Sequence, residues 1–305
     1  MIAKQTLLFF FTMTNVVIFA QQDPLSTQYL NNYFLINPAY AGMTKDLNCS
    51  AGYRLQWAGF DGSPVTFNAT GNMSVHNNKM GLGFSALVDK TGSDKTTEFN
   101  GAYAYHLRLD NSTGAEMSFG LQAGMINYKS DYSELTVTPG DPNFNNVSQF
   151  KPNFGAGLLL RNDNYLVSIA MPHLLQQGDN ASTNAATGLY SRNLYVFGSY
   201  LVPLSYRVKF KPSILLRSVK GAPVSIDYCF AFKMDESYTI GVFTRNFKNV
   251  GFQALLNVGD ALRFGYVFEM PLSINTALNF TSHELMCGIR LKVLSFHGAG
   301  VVKNY

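Results

Sequence analysis

Five histidines, His76, His106, His173, His283 and His297, are the side chains best suited to acid–base or metal chemistry, yet none stands in H-E-x-x-H or another ligand spacing. No G-x-S-x-G marks a serine nucleophile, and spacing groups no Ser, His and carboxylate at one place. Cys49, Cys229 and Cys287 are odd in number and far apart, without a C-x-x-C, so they suggest neither a disulfide framework nor a zinc site. Gly140-Asp141-Pro142-Asn143 lacks the ladder of acidic and amide ligands of a calcium loop and reads as an Asp-Pro turn. Gly81 and Gly83 are not followed by the Lys-Ser/Thr of a phosphate loop; inside a strand they mark a bend or bulge. These residues predict a non-enzymatic chain with no catalytic residue, no metal and no cofactor. A net charge of +4 on 305 residues, with no basic run, predicts no nucleic-acid partner.

The elements that carry these side chains are strands. Only 14% of the residues are charged, where a soluble domain has about 25%. Yet 47% are apolar and mean hydropathy is close to zero, so apolar and uncharged polar residues must be finely interleaved. Disorder and coiled coil are thereby excluded. From Leu47 to Trp57 one phase reads Leu47, Cys49, Ala51, Tyr53, Leu55, Trp57 and the other Asn48, Ser50, Gly52, Arg54, Gln56. Val65 to Val75 repeats the pattern. Further segments of this kind fall near 80–89, 96–109, 115–128, 152–161, 165–171, 193–202, 208–219, 224–234, 237–245, 250–258, 261–270 and 283–293, which predicts fourteen strands in all. Arg54, Glu98, Arg108, Asp227, Arg263 and Glu269 all fall on the polar phase.

Two architectures suit such strands, a soluble sandwich and a membrane barrel with an apolar exterior. Connection lengths favour the barrel. The even-numbered connections, such as 76–79, 162–164 and 259–260, are tight, whereas the long ones, 129–151, 172–192 and 271–282, are all odd-numbered. Long and short connections then lie at opposite ends of an up-and-down meander, as in outer-membrane barrels with short periplasmic turns and longer external loops. Strands of about ten residues suit a tilted bilayer crossing. The predicted fold is an all-β, transmembrane, antiparallel up-and-down barrel of about fourteen strands in the outer membrane. Its polar-phase charges should face the lumen, because a lipid-facing Arg near the midplane costs about 2–4 kcal/mol.

Residues 1–20 read as a signal peptide, with Lys4, an apolar stretch from Leu7 to Ala20 and an abrupt change at Gln21; cleavage is expected near Ala20. Residues 21–46 form a lead segment, 47–293 the barrel and 294–305 a tail. The lead, QQDPLSTQYLNNYFLINPAYAG to Gly42, has no alternation and concentrates Tyr29, Tyr33, Phe34, Leu35, Ile36 and Tyr40. It is expected either to dock in the lumen, as a plug or partner site, or to form a turn-rich periplasmic strap.

Several motifs carry a resemblance. They are Asp23-Pro24, Ser26, Gln28-Tyr29, then Asn37-Pro38-Ala39-Tyr40-Ala41-Gly42, then Tyr53-Arg54-x-Gln56-Trp57-x-Gly59 with Gly62-x-Pro64, and finally Ser282-His283-Glu284. With them the chain resembles the PorP/SprF family of outer-membrane proteins of the type IX secretion system, over all but the tail after Val293. The resemblance implies a barrel associated with secretion and gliding motility. Its partners would be outer-membrane lipid, the secretion machinery with its periplasmic components, and the C-terminal sorting domain of a large secreted adhesin, which it helps export or anchors. The 129–151 and 172–192 loops would then face the cargo. The alternative is a FadL-like or porin-like channel for a small solute. Tyr29, Asn37, Tyr40, Arg54 and Trp57 are expected to form one contact region joining the lead to the first strand.

Overall fold

The computed structural model describes residues 26–110, 113–133, 146–175, 192–219, 222–272 and 280–292. The signal-peptide segment, Asp23-Pro24, the 140–143 turn, His297 and the tail lie outside the described residues. The strands are β1 (Leu47–Leu55), β2 (Val65–Val75), β3 (Met80–Thr91), β4 (Asp94–Arg108), β5 (Glu116–Ser130), β6 (Val147–Arg161), β7 (Tyr165–Met171), β8 (Asn193–Tyr200), β9 (Val202–Pro203), β10 (Val208–Val219), β11 (Ser225–Met234), β12 (Tyr238–Arg245), β13 (Asn249–Val258), β14 (Leu262–Pro271) and β15 (Ser282–Leu291). Neighbours pair antiparallel, and β1 pairs with β15 from Leu47↔Leu291 to Leu55↔His283, which closes the sheet. Closure matters because an open edge in lipid would leave a row of backbone N–H and C=O groups without partners.

β8 and β9 lie end to end against β10, so the wall is a fourteen-stranded antiparallel barrel with one interrupted strand. The break is at Leu201, which turns inward and is buried, its N–H donating to the Asn164 carbonyl at 2.6 Å. The expected strand 193–202 therefore ends two residues early. β5 and β6, by contrast, outlast their alternating segments and remain paired out to Ser130↔Val147, which shortens the expected 129–151 loop to 131–146. The parity of the connections holds in one direction. The end with the long connections also has tight turns, Gly92-Ser93 between β3 and β4 and 246–248 between β12 and β13.

Burial is inverted relative to a water-soluble protein. Polar side chains such as Asn48, Ser50, Asn68, Thr70 and Asn153 are buried inside, while Tyr53, Phe67, Phe99, Leu121, Phe154 and Phe230 stand exposed on the outer face. A bilayer resolves the inversion by burying that outer belt in hydrocarbon.

Inside the barrel lies the lead. Residues 26–43 fold into three short 3-10 turns, Thr27–Leu30, Tyr33–Leu35 and Pro38–Tyr40. Tyr29, Tyr33, Phe34, Ile36, Ala39 and Met43 are each at most 5% exposed. All but Phe34 pack against inward-facing Leu159, Leu166, Phe197, Leu215 and Phe243, and Phe34 packs with Ala41, Ala102 and Ala104, so the lumen holds a small apolar core of its own. Tyr33 is the hub, with ring centroids 4.8 Å from Phe197 and 5.3 Å from Tyr40. The segment starts at the long-connection end, passes down the lumen and leaves at the short-turn end, where β1 begins.

Candidate functional site

The plugged lumen is the site, and it is held at three levels. At the long-connection end the Glu284 carboxylate accepts from Ser26 Oγ (2.7 Å), Thr27 N (2.9 Å) and Gln28 N (3.1 Å), so it caps the first turn of the plug. The same carboxylate is ion-paired with Arg54, which also approaches Glu269 at 3.7 Å. Beside it Arg245 pairs with Asp227 at 2.9 Å and with Glu269 at 3.5 Å, and donates to Thr27 Oγ1 at 3.3 Å. Tyr29 hydroxyl donates to Asp227 at 3.3 Å. Three carboxylates and two guanidiniums thus pair with one another around the start of the plug. Partnered charge of this kind survives in a low-dielectric interior, whereas a lone one would not.

At mid-depth the plug touches the wall through its third turn. Asn37 caps that turn, its Oδ1 accepting from Ala39 N at 2.8 Å, while its Nδ2 donates to the Leu158 carbonyl at 3.0 Å. Pro38 occupies the first position, where its missing N–H costs nothing. Ser118 Oγ donates to the Ala39 carbonyl at 2.7 Å. A β-carbon on Gly120 would collide with Ala39, one on Gly157 with Asn37, and one on Gly81 with the Ala41 carbonyl. Glycine at these wall positions therefore makes room for the plug, its backbone at Gly120 and Gly81 and the Asn37 side chain at Gly157; at Gly81 this replaces the expected bend or bulge. Gly42 closes the motif at φ +66°, a left-handed conformation that favours glycine.

At the short-turn end Arg161 Nη2 donates to the Met43 carbonyl at 2.7 Å and pairs with Glu116 at 2.9 Å. A second polar group lies on the opposite wall near the long-connection end. Glu98 accepts from Asn100 (2.6 Å) and Asn153 (3.1 Å), and His173 Nε2 lies 3.1 Å from it. Pro172 and His173, the first residues of the 172–192 connection, are buried, so that connection begins by folding into the lumen instead of facing outward. A cavity of about 80 Å³ lies between this group and Phe34, Leu35 and Ile36 of the plug. Among the described residues no cluster of three or more His, Cys, Asp or Glu could hold a metal.

The single contact region expected for Tyr29, Asn37, Tyr40, Arg54 and Trp57 is not formed. The plug runs the length of the lumen, so its motifs are spread along it: Tyr29 meets β11, Asn37 meets β6, and Tyr40 packs on Tyr33. Arg54 reaches the plug through Glu284, and Gln56 Oε1 accepts from Arg54 Nη2 at 3.4 Å. Trp57 lies at the rim, half exposed, with its N–H on Ser282 Oγ at 3.2 Å, and Tyr53 points outward. Gly59 (φ +94°) and Gly62 (φ +75°) shape the connection that returns to Pro64, whose carbonyl accepts from Gln56 N at 3.0 Å. His283 faces away from the lumen, bonded to Tyr266 hydroxyl at 2.9 Å and lying against Phe268.

Of the polar-phase charges, Arg54, Glu98, Asp227 and Glu269 are buried in the lumen and Arg263 lines a cavity there. Arg108 keeps the inward phase but is exposed, because β4 ends with it at the rim, beyond the plug. The sequence alone does not single out Arg245, Arg161, Asn153, Gly120 or Gly157. Their one visible signal was position: each falls on the inward phase of its strand.

A family model described as type IX secretion system membrane protein PorP/SprF matches residues 18–289. The chain belongs to the PorP/SprF family. Membership, together with the closed barrel and its apolar belt, places this PorP/SprF protein in the outer membrane. A search of curated proteins gives no sequence match. Solved structures are similar in fold alone. The TodX deltaS2S3 mutant, described as a monoaromatic hydrocarbon channel, is 8% identical with a TM-score of 0.50, covering 88% of this chain and 95% of its own. Omp33 of Acinetobacter baumannii is 8% identical with a TM-score of 0.45, covering 82% of this chain and 100% of its own. BamA from Haemophilus ducreyi lacking POTRA domains 1–3 is 8% identical with a TM-score of 0.41, covering 80% and 70%.

Proposed function

We propose that this PorP/SprF barrel is a plugged, lipid-held platform of the type IX secretion system. Its long-connection end receives the C-terminal sorting domain of a large secreted adhesin of the gliding type, and either helps its export or anchors it at the surface. The observation behind this reading is the plug itself. A segment tied by Glu284 at one end and Arg161 at the other fills the lumen, which leaves the rim and loops as the working surface and weighs against a solute channel. Periplasmic components of the machinery would meet the short-turn end. Gentle detergent extraction of cells carrying the tagged barrel should co-purify a large adhesin, and deletion of the barrel should remove that adhesin from the cell surface. Normal surface display of every such adhesin in the deletion strain would overturn the reading.

A further inference from the structure

At the short-turn end a cavity of about 20 Å³ lies between the plug and the wall formed by β1, β2, β14 and β15. Arg263 and Arg290 both line it, together with Asn31, Asn72, Thr44 and Tyr40 of the plug and neighbouring strands, and among the described residues no carboxylate does. Arg290 Nε donates to Asn48 Oδ1 at 3.3 Å, whereas the buried Nε of Arg263 has no hydrogen-bond partner. Neither guanidinium is within 4 Å of a carboxylate among the described residues. Lys211, set 5.1 Å from the Tyr33 ring centroid, adds a further cation to this half of the lumen.

Two guanidiniums sharing one polar cavity repel each other, and a buried donor without an acceptor keeps its full desolvation penalty. One anion between them removes both costs, and the planar fork of Arg suits an oxyanion especially well. The space admits one water-sized atom or the head of a carboxylate, and is small for a phosphate. We propose that this cavity is a binding site for one small monovalent anion, a carboxylate head or a halide, entering from the short-turn mouth. Such an anion comes either from solution or on an acidic residue of a chain docked at that mouth. The inference is independent of the adhesin reading, since it concerns the opposite end of the barrel.

Chloride is the probe. The full-length barrel in detergent should broaden the ³⁵Cl NMR line in excess of detergent alone, and that excess should vanish in both Arg263→Gln and Arg290→Gln. Arg207→Ala, which removes an exposed cation from a turn at the same end, should leave the excess unchanged. Retained heat-modifiable mobility shows that each variant is folded, and Arg263→Lys, which keeps the charge, should preserve part of the signal if Gln variants fail to fold. Formate should displace the bound chloride if a free carboxylate fits. A short peptide with two adjacent Asp residues displacing it at lower concentration than formate would identify a chain-borne carboxylate. An excess linewidth equal in wild type and the two Gln variants, or no excess in wild type, would overturn the site.

Discussion

The two ends of the lumen hold the same plug with opposite electrostatics. At the long-connection end Arg54 and Arg245 are matched by Asp227, Glu269 and Glu284, and the first plug turn hangs on that network. At the short-turn end Arg161 is matched by Glu116, and Lys209 and Lys233 by Glu236, but Arg263 and Arg290 face a cavity that no carboxylate lines among the described residues. The contrast separates charge that builds the fold from charge left available to something outside it. Where every ion has a partner and the partners also bond plug backbone, the charges position the plug. Where cations share a cavity, they raise the energy of the barrel and the cavity becomes selective for anions.

The comparison breaks first at Glu284. Glu284→Ala should cost about 3–5 kcal/mol, because it leaves Arg54 buried without its nearest carboxylate and the Thr27 N–H without its acceptor. The urea midpoint of the folded band in detergent reads this, and limited proteolysis should then cut near Ser26. An unchanged midpoint would show that the network is not what ties the plug. Gly120→Val should follow, at about 1–3 kcal/mol, by forcing a side chain into the space occupied by Ala39. With the third turn displaced, planar-bilayer recordings should show a steady conductance that the wild-type barrel lacks. Conductance in the wild type would instead revive the channel reading.

Smaller effects sharpen the contrast. Asn37→Ala removes one cap and one bond to the wall, and should cost about 1–2 kcal/mol without opening a conductance, since the ends remain tied. Arg263→Gln should cost less than about 1 kcal/mol or stabilise slightly, because it relieves like-charge repulsion without breaking an ion pair. A loss on the scale of Glu284→Ala would erase the distinction between the two ends.

How far the sequence could be read varied with the range of the interaction involved. Strand phase is a local property, so Arg54, Glu98, Asp227 and Glu269 could be assigned to the inner face from alternation alone. Tyr29, Asn37, Tyr40 and Glu284 could be singled out through their motifs, but not paired. Glu284 meets Ser26 across 258 positions of chain, a contact that no local pattern encodes. Arg108 shows the reverse limit, because phase says which way a side chain points and not whether the strand end carries it past the plug. Gly81 was legible as a strand glycine while its reason lay in the Ala41 carbonyl pressed against it.

What the sequence by itself determined is the barrel: period-2 alternation, charge confined to one phase and the sorting of long connections to one end are consequences of a wall that has lipid on one side. What only the tertiary structure decided is the interior. Whether the lead lies beneath the barrel or inside it, and whether a lumen charge is matched or left alone, depends on which distant strands closure brings face to face. Closure is a property of the whole sheet, with β1 against β15, and has no signature in any single segment.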